Sequence, residues 1–321
     1  MTKKRVLAAI LAAALLLSTG CRKTEDDHRK EELSEHEGVL APGNSIVIEP
    51  ETPEPEPEPE PETEDTLSPY LPENELPENG VLTGEWAFLN DLSAEQVPWG
   101  PGTNFDADGT PTACRLLQAD YGAYDADFVR SGDAFAGKVF LTFDEGYENG
   151  YTASILDTLK EKDVSAVFFV TLPYVKSEPE LVKRMIDEGH IVGNHSARHP
   201  NMTTEAPADA YDEVADLHAY VKENFGYEMF LFRPPEGAFS ERTLALLQKM
   251  GYRSVFWSFA YKDWDPENQY DCDTALAKAT GSLHSGEIFL LHAVSSTNDA
   301  ILGDFIDTVR AAGYTFERYE Q

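Results

Sequence analysis

The sequence predicts an α/β fold: a seven-stranded barrel of alternating strands and helices, preceded by a long acidic segment. Three observations carry this. From residue 138 onward, short apolar runs alternate with amphipathic stretches of helical spacing, giving seven strands and six intervening helices. Such repeated units imply a parallel sheet. Polar residues cluster after several different strands, which suits a closed or nearly closed barrel better than an open sheet, because α/β barrels build their sites from the loops that follow strands. The first 80 residues, by contrast, show neither period.

Composition narrows the function classes. The chain has 321 residues and a net charge of −33, from 25 Lys and Arg against 58 Asp and Glu. That excludes nucleic acid, which needs a basic face, and argues against adhesion to anionic lipid. At 41% hydrophobic, the chain can fill one good-sized core or two small ones. No apolar run reaches the 18 or so residues of a spanning helix. Three cysteines exclude a disulfide-rich scaffold and a Cys-rich zinc module.

The N-terminus reads Lys3-Lys4-Arg5, an apolar run from Val6 to Leu17, then Ser18-Thr19-Gly20-Cys21. A basic start, a short apolar stretch and small residues make an export signal. The small residues before Cys21 resemble a bacterial lipoprotein signal over 1–20, in which the cysteine is lipidated. Ser18 stands where that pattern usually has Leu. Residues 21–80 read as a disordered acidic linker: 22–80 hold nineteen acids and four bases, with Glu-Pro alternation from Pro53 to Glu62. Such a segment cannot bury enough apolar surface to offset its conformational entropy. Alternating proline favours an extended chain, about 35–40 Å over the twelve residues around the repeat at ~3.1 Å per residue. A spacer between a lipid and a domain implies a target some distance from the membrane, such as cell wall. Residues 81–137 read as an irregular lead-in wrapping the barrel.

The barrel follows over 138–321. Strands are expected at 138–143, 164–171, 190–194, 229–233, 253–258, 287–292 and 314–319. Helices are expected at 150–162, 178–188, 208–225, 240–250, 273–283 and 298–312. Ile155, Leu156 and Leu159 share one face of the first helix. Gly189, Gly226, Gly251 and Gly313 stand just past helix ends, and Ser240 is an N-cap candidate. Cys114 and Cys272 either pair, tying lead-in to barrel, or stay as thiols.

Five strand ends carry chemistry. Asp144-Glu145 follows the first strand, His195 and His199 the third, and Arg233-Pro234-Pro235-Glu236-Gly237 the fourth. Asp263-Trp264 follows the fifth, and His292 ends the sixth. Taken singly, each has a bland reading: an Asp as a helix cap, a His as a satisfied polar group. Strand ends of one barrel converge in space, so five together point to a site.

These residues resemble the five motifs of the polysaccharide deacetylase family, the NodB-like carbohydrate esterases, over roughly 137–320. Within it, Tyr147-Glu148-Asn149-Gly150-Tyr151 and His292-Ala293-Val294-Ser295 are similar to the delta-lactam-biosynthetic de-N-acetylases, which act on N-acetylmuramic acid of peptidoglycan. The resemblance implies a distorted seven-stranded (β/α) barrel of the NodB-like type and hydrolysis of an N-acetyl group. It implies Asp144 as general base, Arg233 as the group orienting it, His292 as general acid and Asp263 as the carboxylate keeping His292 protonated. It further implies His195, His199 and Glu145 as ligands of a divalent metal, and Trp264 and Leu290 as apolar walls for the acetyl methyl. Pro234 and Pro235 stiffen the loop that holds a backbone N–H toward the oxyanion.

Three positions depart from the family pattern. Glu145 replaces its metal-binding Asp, and an extra methylene moves a carboxylate further than metal distances tolerate. Ala260 replaces the first Asp of the fourth motif. Glu236 stands where an aromatic or basic residue is usual, an acidic lip that opposes an anionic lactyl group unless Arg198 or Lys262 offsets it. Two histidines and a carboxylate suit zinc, but also cobalt, nickel or manganese. The expected protein is a monomer, exported and lipid-anchored through Cys21 on the outer face of the cytoplasmic membrane, acting on peptidoglycan or a related N-acetylated glycan. An O-acetyl polysaccharide esterase and a degenerate barrel that binds wall glycan without hydrolysing it remain alternatives.

Overall fold

Side chains alternate across a strand, and the parity of the apolar residues decides which way this sheet faces. The computed structural model describes residues 82–320. The signal segment, Cys21 and the acidic linker lie outside them. Among the described residues no helix is long and apolar enough to cross a membrane.

The lead-in carries α1 (Thr112–Tyr121) and β1 (Ala126–Asp127). Next come β2 (Lys138–Glu145), α2 (Thr152–Glu161), β3 (Val167–Val170), α3 (Leu172–Ser177) and α4 (Pro179–Asp187). β4 (Ile191–Asn194), α5 (Pro207–Phe225), β5 (Leu231–Phe232) and α6 (Glu241–Lys249) follow. The chain ends through β6 (Arg253–Val255), β7 (Phe259–Ala260), α7 (Cys272–Thr280), β8 (Glu287–His292), α8 (Ser296–Ala311) and β9 (Thr315–Phe316).

All seven expected strands are present, and β1 and β7 are added at the two ends of the sheet. The strand order is β1-β6-β5-β4-β3-β2-β8-β7, with β9 on the first residues of β2. Every strand pairing in the sheet is parallel. The end strands β1 and β7 do not pair with each other, so the barrel is curled but not closed by hydrogen bonds.

Inside the curl, Phe140, Val167, Phe169, Ile191, Leu231, Val255 and Ile288 pack together with Tyr319, which enters after β9 and closes the floor. The Tyr319 hydroxyl donates to Asp127 Oδ2 at 2.5 Å, tying the C-terminal segment to β1. Residues of the opposite parity, among them Val139, Leu141, Phe143, Phe168, Val192 and Leu291, face the helices. Burial of this helix-facing layer stabilises the fold at about 25 cal/mol per Å².

The lead-in is more regular than its composition suggests. α1 escapes sequence reading because Cys114 is its only buried residue, which leaves no apolar stripe. Trp86 and Leu89 join the helix-side core. Trp99 packs edge-on against Phe128 and Phe256, and its Nε1–H donates to Gly237 O at 2.7 Å. The expected helix over 178–188 is preceded by α3, because Pro179 breaks the run after Ser177. Ser240 caps α6 as expected, accepting from Thr243 N at 3.2 Å. Cys114 and Cys272 form no disulfide.

Candidate active site

β2 runs parallel to β3 on one side and β8 on the other, and its even-numbered residues face the barrel interior. Phe140 lies in the floor, Thr142 above it, and Asp144 at the mouth. Asp144 and His292 are register partners on the adjacent strands β2 and β8. Two residues 148 positions apart in sequence are thus side by side at the C-terminal end of the sheet.

Arg233 follows β5 and is fully buried. Its Nη1 donates to Asp144 Oδ1 at 2.6 Å and its Nη2 to Thr142 Oγ1 at 2.8 Å. Its Nε donates to Val255 O at 3.0 Å, and its guanidinium lies 4.2 Å from the centre of the Phe169 ring. Phe169 reaches this place because β4 carries Gly193, where a Cβ would stand 2.5 Å from the ring. A buried cation is therefore fixed on an aromatic floor with its fork aimed at one carboxylate oxygen. Burial disfavours the charge on Asp144, but Arg233, then His195 and His292, outweigh it and hold the carboxyl below its usual range.

His195 follows β4. Its Nδ1 is 2.8 Å from Arg233 O and its Nε2 is 3.6 Å from Asp144 Oδ2. Burial, only partly opposed by Asp144, lowers its pKa to about 4, so the ring is neutral at pH 7. With the proton on Nδ1 given to the carbonyl, Nε2 presents a lone pair to the mouth, the arrangement a metal-binding imidazole takes. His199 is exposed, its ring centre 4.8 Å from that of His195. Ser196 and His199 both have positive φ, 68° and 60°.

His292 keeps 24% of its side chain exposed, while Asp263 is sealed. His292 Nδ1 donates to Asp263 Oδ1 at 2.8 Å, and the His292 backbone N–H donates to Oδ2 at 2.8 Å. Burial pulls the imidazole pKa down, but the Asp263 hydrogen bond and charge, then Asp144, carry it above 6.5. Nε2 is left facing the mouth. Asn298 and Tyr261 are partners that sequence reasoning missed. Asn298 Nδ2 donates to Asp263 Oδ2 at 2.6 Å, and the Tyr261 hydroxyl donates to Asn298 Oδ1. Thr142 and Phe169 were missed too; their inward parity on strands was the available signal.

Glu145 requires a correction. It has the parity of Phe143, not of Asp144, so it points toward the helices, beside Tyr174 and Glu148. It is fully buried, and neither carboxyl oxygen has a hydrogen-bond partner. Burial, then Glu148 and Asp144, raise its pKa well above the ordinary 4.5. No group of three His, Cys, Asp or Glu that could hold a metal forms among the described residues. The expected set Glu145, His195 and His199 is reduced to its two histidines.

Of the remaining expected residues, Leu290 is buried on the inward face one step below His292, and Pro235 is buried in the loop after Arg233. Trp264 is 57% exposed, with Lys262 Nζ 5.2 Å from its ring centre. Glu236 is exposed with φ of 58°. Gly237 behind it has no room for a Cβ, which would stand 2.7 Å from Trp257. The two bases expected to offset Glu236 are already engaged: Arg198 with Glu213 at 2.5 Å and Lys262 with Asp265 at 3.1 Å.

Comparison with known proteins agrees with this fold. Residues 131–255 match the polysaccharide deacetylase family profile. The chain is 40% identical over 238 residues to the peptidoglycan-N-acetylmuramic acid deacetylase PdaA of Bacillus subtilis (strain 168), covering 74% of this chain and 89% of that protein. It is 32% identical over 179 residues to the peptidoglycan-N-acetylglucosamine deacetylase PgdA of Listeria monocytogenes serotype 1/2a, covering 56% of this chain and 37% of that one. The solved structure of Bacillus subtilis PdaA, described as a family 4 carbohydrate esterase, superposes with a TM-score of 0.66 at 39% identity, over 71% of this chain and 96% of that chain. With a relative of this identity spanned almost end to end and the same barrel beneath its motifs, the chain belongs to the polysaccharide deacetylase family.

Proposed function

We propose that this protein hydrolyses the acetamide of N-acetylated cell-wall glycan, with N-acetylmuramic acid of peptidoglycan as first substrate and N-acetylglucosamine as second. The observation that carries the reading is the pairing of Asp144 with its own guanidinium and of His292 with its own carboxylate, on register-matched positions of neighbouring strands. A base favoured as the ionised form and an acid favoured as the protonated form stand on neighbouring strands at the mouth, the pair that amide hydrolysis needs.

In the first step Asp144 takes a proton from water as the water oxygen bonds to the acetyl carbon. Pro234 and Pro235 have no N–H, so the Glu236 N–H is the first donor of that loop available to the oxyanion. His292 Nε2 then gives its proton to the nitrogen as the C–N bond breaks, releasing the sugar amine and acetate. Asp263, held by Asn298, keeps His292 charged until that transfer. Leu290, buried on the inward face, would receive the acetyl methyl, and the exposed face of Trp264 is available to a sugar ring.

His195 and His199 would offer two nitrogen donors to a divalent ion, zinc or cobalt, nickel or manganese, and the neutral ring of His195 suits that role. A divalent ion held there would supply polarisation of the acetyl carbonyl. The signal-like segment, Cys21 and the acidic spacer of the sequence support an enzyme lipid-anchored on the outer face of the cytoplasmic membrane, facing the wall.

The test is mass spectrometry of muropeptides, with acetate measured, after incubating the purified chain with peptidoglycan, with and without a chelator. Loss of acetyl from muramic acid is expected, slowed by chelation. Loss from glucosamine alone makes that sugar the substrate. Acetate from O-acetylated xylan but from no N-acetylated glycan makes the protein an esterase. Binding of glycan that survives Asp144→Asn, without turnover in either form, overturns the hydrolytic reading.

A further inference from the structure

Glu213 is a buried carboxylate, midway along α5, that takes no part in the chemistry above. It is 1% exposed, yet its partners are not in its own helix. Its Oε2 accepts the backbone N–H of Arg198 at 2.7 Å, and its Oε1 accepts Arg198 Nε at 2.5 Å. Its own carbonyl accepts the backbone N–H of Ala197 at 2.8 Å. One helical residue thus holds two consecutive peptide N–H groups of the segment joining His195 to His199.

That segment has reason to need holding. Ser196 and His199 both occupy the left-handed region, which non-glycine residues avoid. Such conformations persist only where the surroundings over-determine them. Further restraints act on the same turn: Asn194 Oδ1 accepts Ser196 N at 2.8 Å, and Ser196 Oγ accepts His199 N at 2.9 Å. Asn194 is anchored to α5 through Val214 O at 2.9 Å. These local bonds close the turn on itself. Glu213 ties it to a rigid element. His195 is fixed independently, by burial and by Arg233 O. His199 is exposed, and no hydrogen bond fixes its ring among the described residues.

We propose that Glu213 is the positioning residue for His199: its carboxylate, acting on the Arg198 peptide N–H, keeps the strained turn in the one conformation that sets His199 against His195. This rests on the reading of the two histidines as a working pair. The backbone bond, not the Arg198 side chain, carries the effect, because it acts on the turn's own peptide, whereas that side chain is 68% exposed.

The test uses Glu213→Met, which fills a similar volume without an acceptor, Glu213→Gln, which keeps one, and Arg198→Ala, which removes only the side-chain bond. Glu213→Met is expected to lower kcat at least tenfold with KM within about twofold, and to speed hydrogen exchange of the Arg198 and His199 amides at least tenfold. Cobalt(II) affinity is expected to fall alongside. Glu213→Gln is expected to restore kcat to within about threefold of wild type, and Arg198→Ala to stay within twofold. A folded Glu213→Met with wild-type kcat and unchanged exchange overturns the proposal, as does Glu213→Gln being equally impaired. Should Glu213→Met not fold, an unprotected Arg198 amide in the wild-type protein overturns it alone. Absence of cobalt binding in the wild type counts against the histidine pair as metal ligands, while the exchange and kcat readouts still decide the role of Glu213.

Discussion

Replacing Glu145 by Gln should make the protein more stable as pH rises, without touching catalysis. The carboxyl is fully buried, has no partner on either oxygen, and has a pKa raised well above 4.5 by burial and by Glu148. Folded, it holds its proton; unfolded, it releases it above about pH 4.5. The folded state then binds one proton more than the unfolded state, and stability falls with pH by about 1.4 kcal/mol per unit. The contribution is fully present below pH 4.5 and is lost as pH climbs through the folded pKa. The loss is confined to the window between pH 4.5 and the raised folded pKa. Glutamine keeps the volume and cannot titrate. Urea unfolding of both proteins at half-unit steps from pH 5 to 7.5 gives the difference curve. Glu287, also buried with a raised pKa, contributes equally to both and cancels. The variant should gain on wild type as pH rises above 4.5, by up to about 1.4 kcal/mol per pH unit until the folded pKa is reached, with kcat within twofold. Parallel curves would refute the buried protonated state. A tenfold loss of activity restored by excess metal would refute the parity argument and return Glu145 to the ligand set.

The pH dependence of activity should be governed by the two pairs. Asp144 lies below its ordinary range and His292 above 6.5, so kcat/KM is expected to stay level between them and fall as pH rises through the His292 pKa. Asp263→Asn removes the charge that opposes burial. The descending limb should move to lower pH and the rate at pH 8 drop on the order of a hundredfold, whereas an unmoved limb assigns the acid elsewhere. Glu236→Arg replaces an unpaired acid by a base at the lip. KM for strands bearing muramic acid should fall about threefold to tenfold, a range of roughly 0.7–1.4 kcal/mol. KM for uncharged chitooligosaccharides should stay within twofold, and an equal shift on both substrates would remove Glu236 from charge selection.

Much of the barrel could be read from the chain because its strands are short apolar runs with helices of clear period between them. The strand at Lys138–Glu145 and the helix at Glu241–Lys249 needed nothing more. β1 and β7, two residues each, carry no period at all; they are strands only because the sheet edge beside them pairs with whatever backbone passes. The site divides in the same way. Asp144, Arg233, Asp263 and His292 were legible because they end strands that converge. Asn298 and Glu213 were not, because each sits within a helix and acts through hydrogen bonds on residues distant in sequence. Glu145 is the instructive error. Adjacency to Asp144 in sequence suggested adjacency in space, but one step along a strand is a half-turn to the other face of the sheet.

The arrangement also explains why base and acid can be neighbours without neutralising each other. An unpaired aspartate beside an unpaired imidazolium would share one proton, and neither could then do its work. Here each is committed elsewhere first. Asp144 is held at 2.6 Å by a guanidinium that cannot give up its proton, and His292 at 2.8 Å by a carboxylate that has no exposure to water. The four charges sum to zero, so the mouth can bury them together at a cost that two charges alone could not meet. Removing either outer partner should therefore do more than weaken one residue: it releases the inner charge to its neighbour, and the proton placed for transfer to the leaving amine settles between Asp144 and His292.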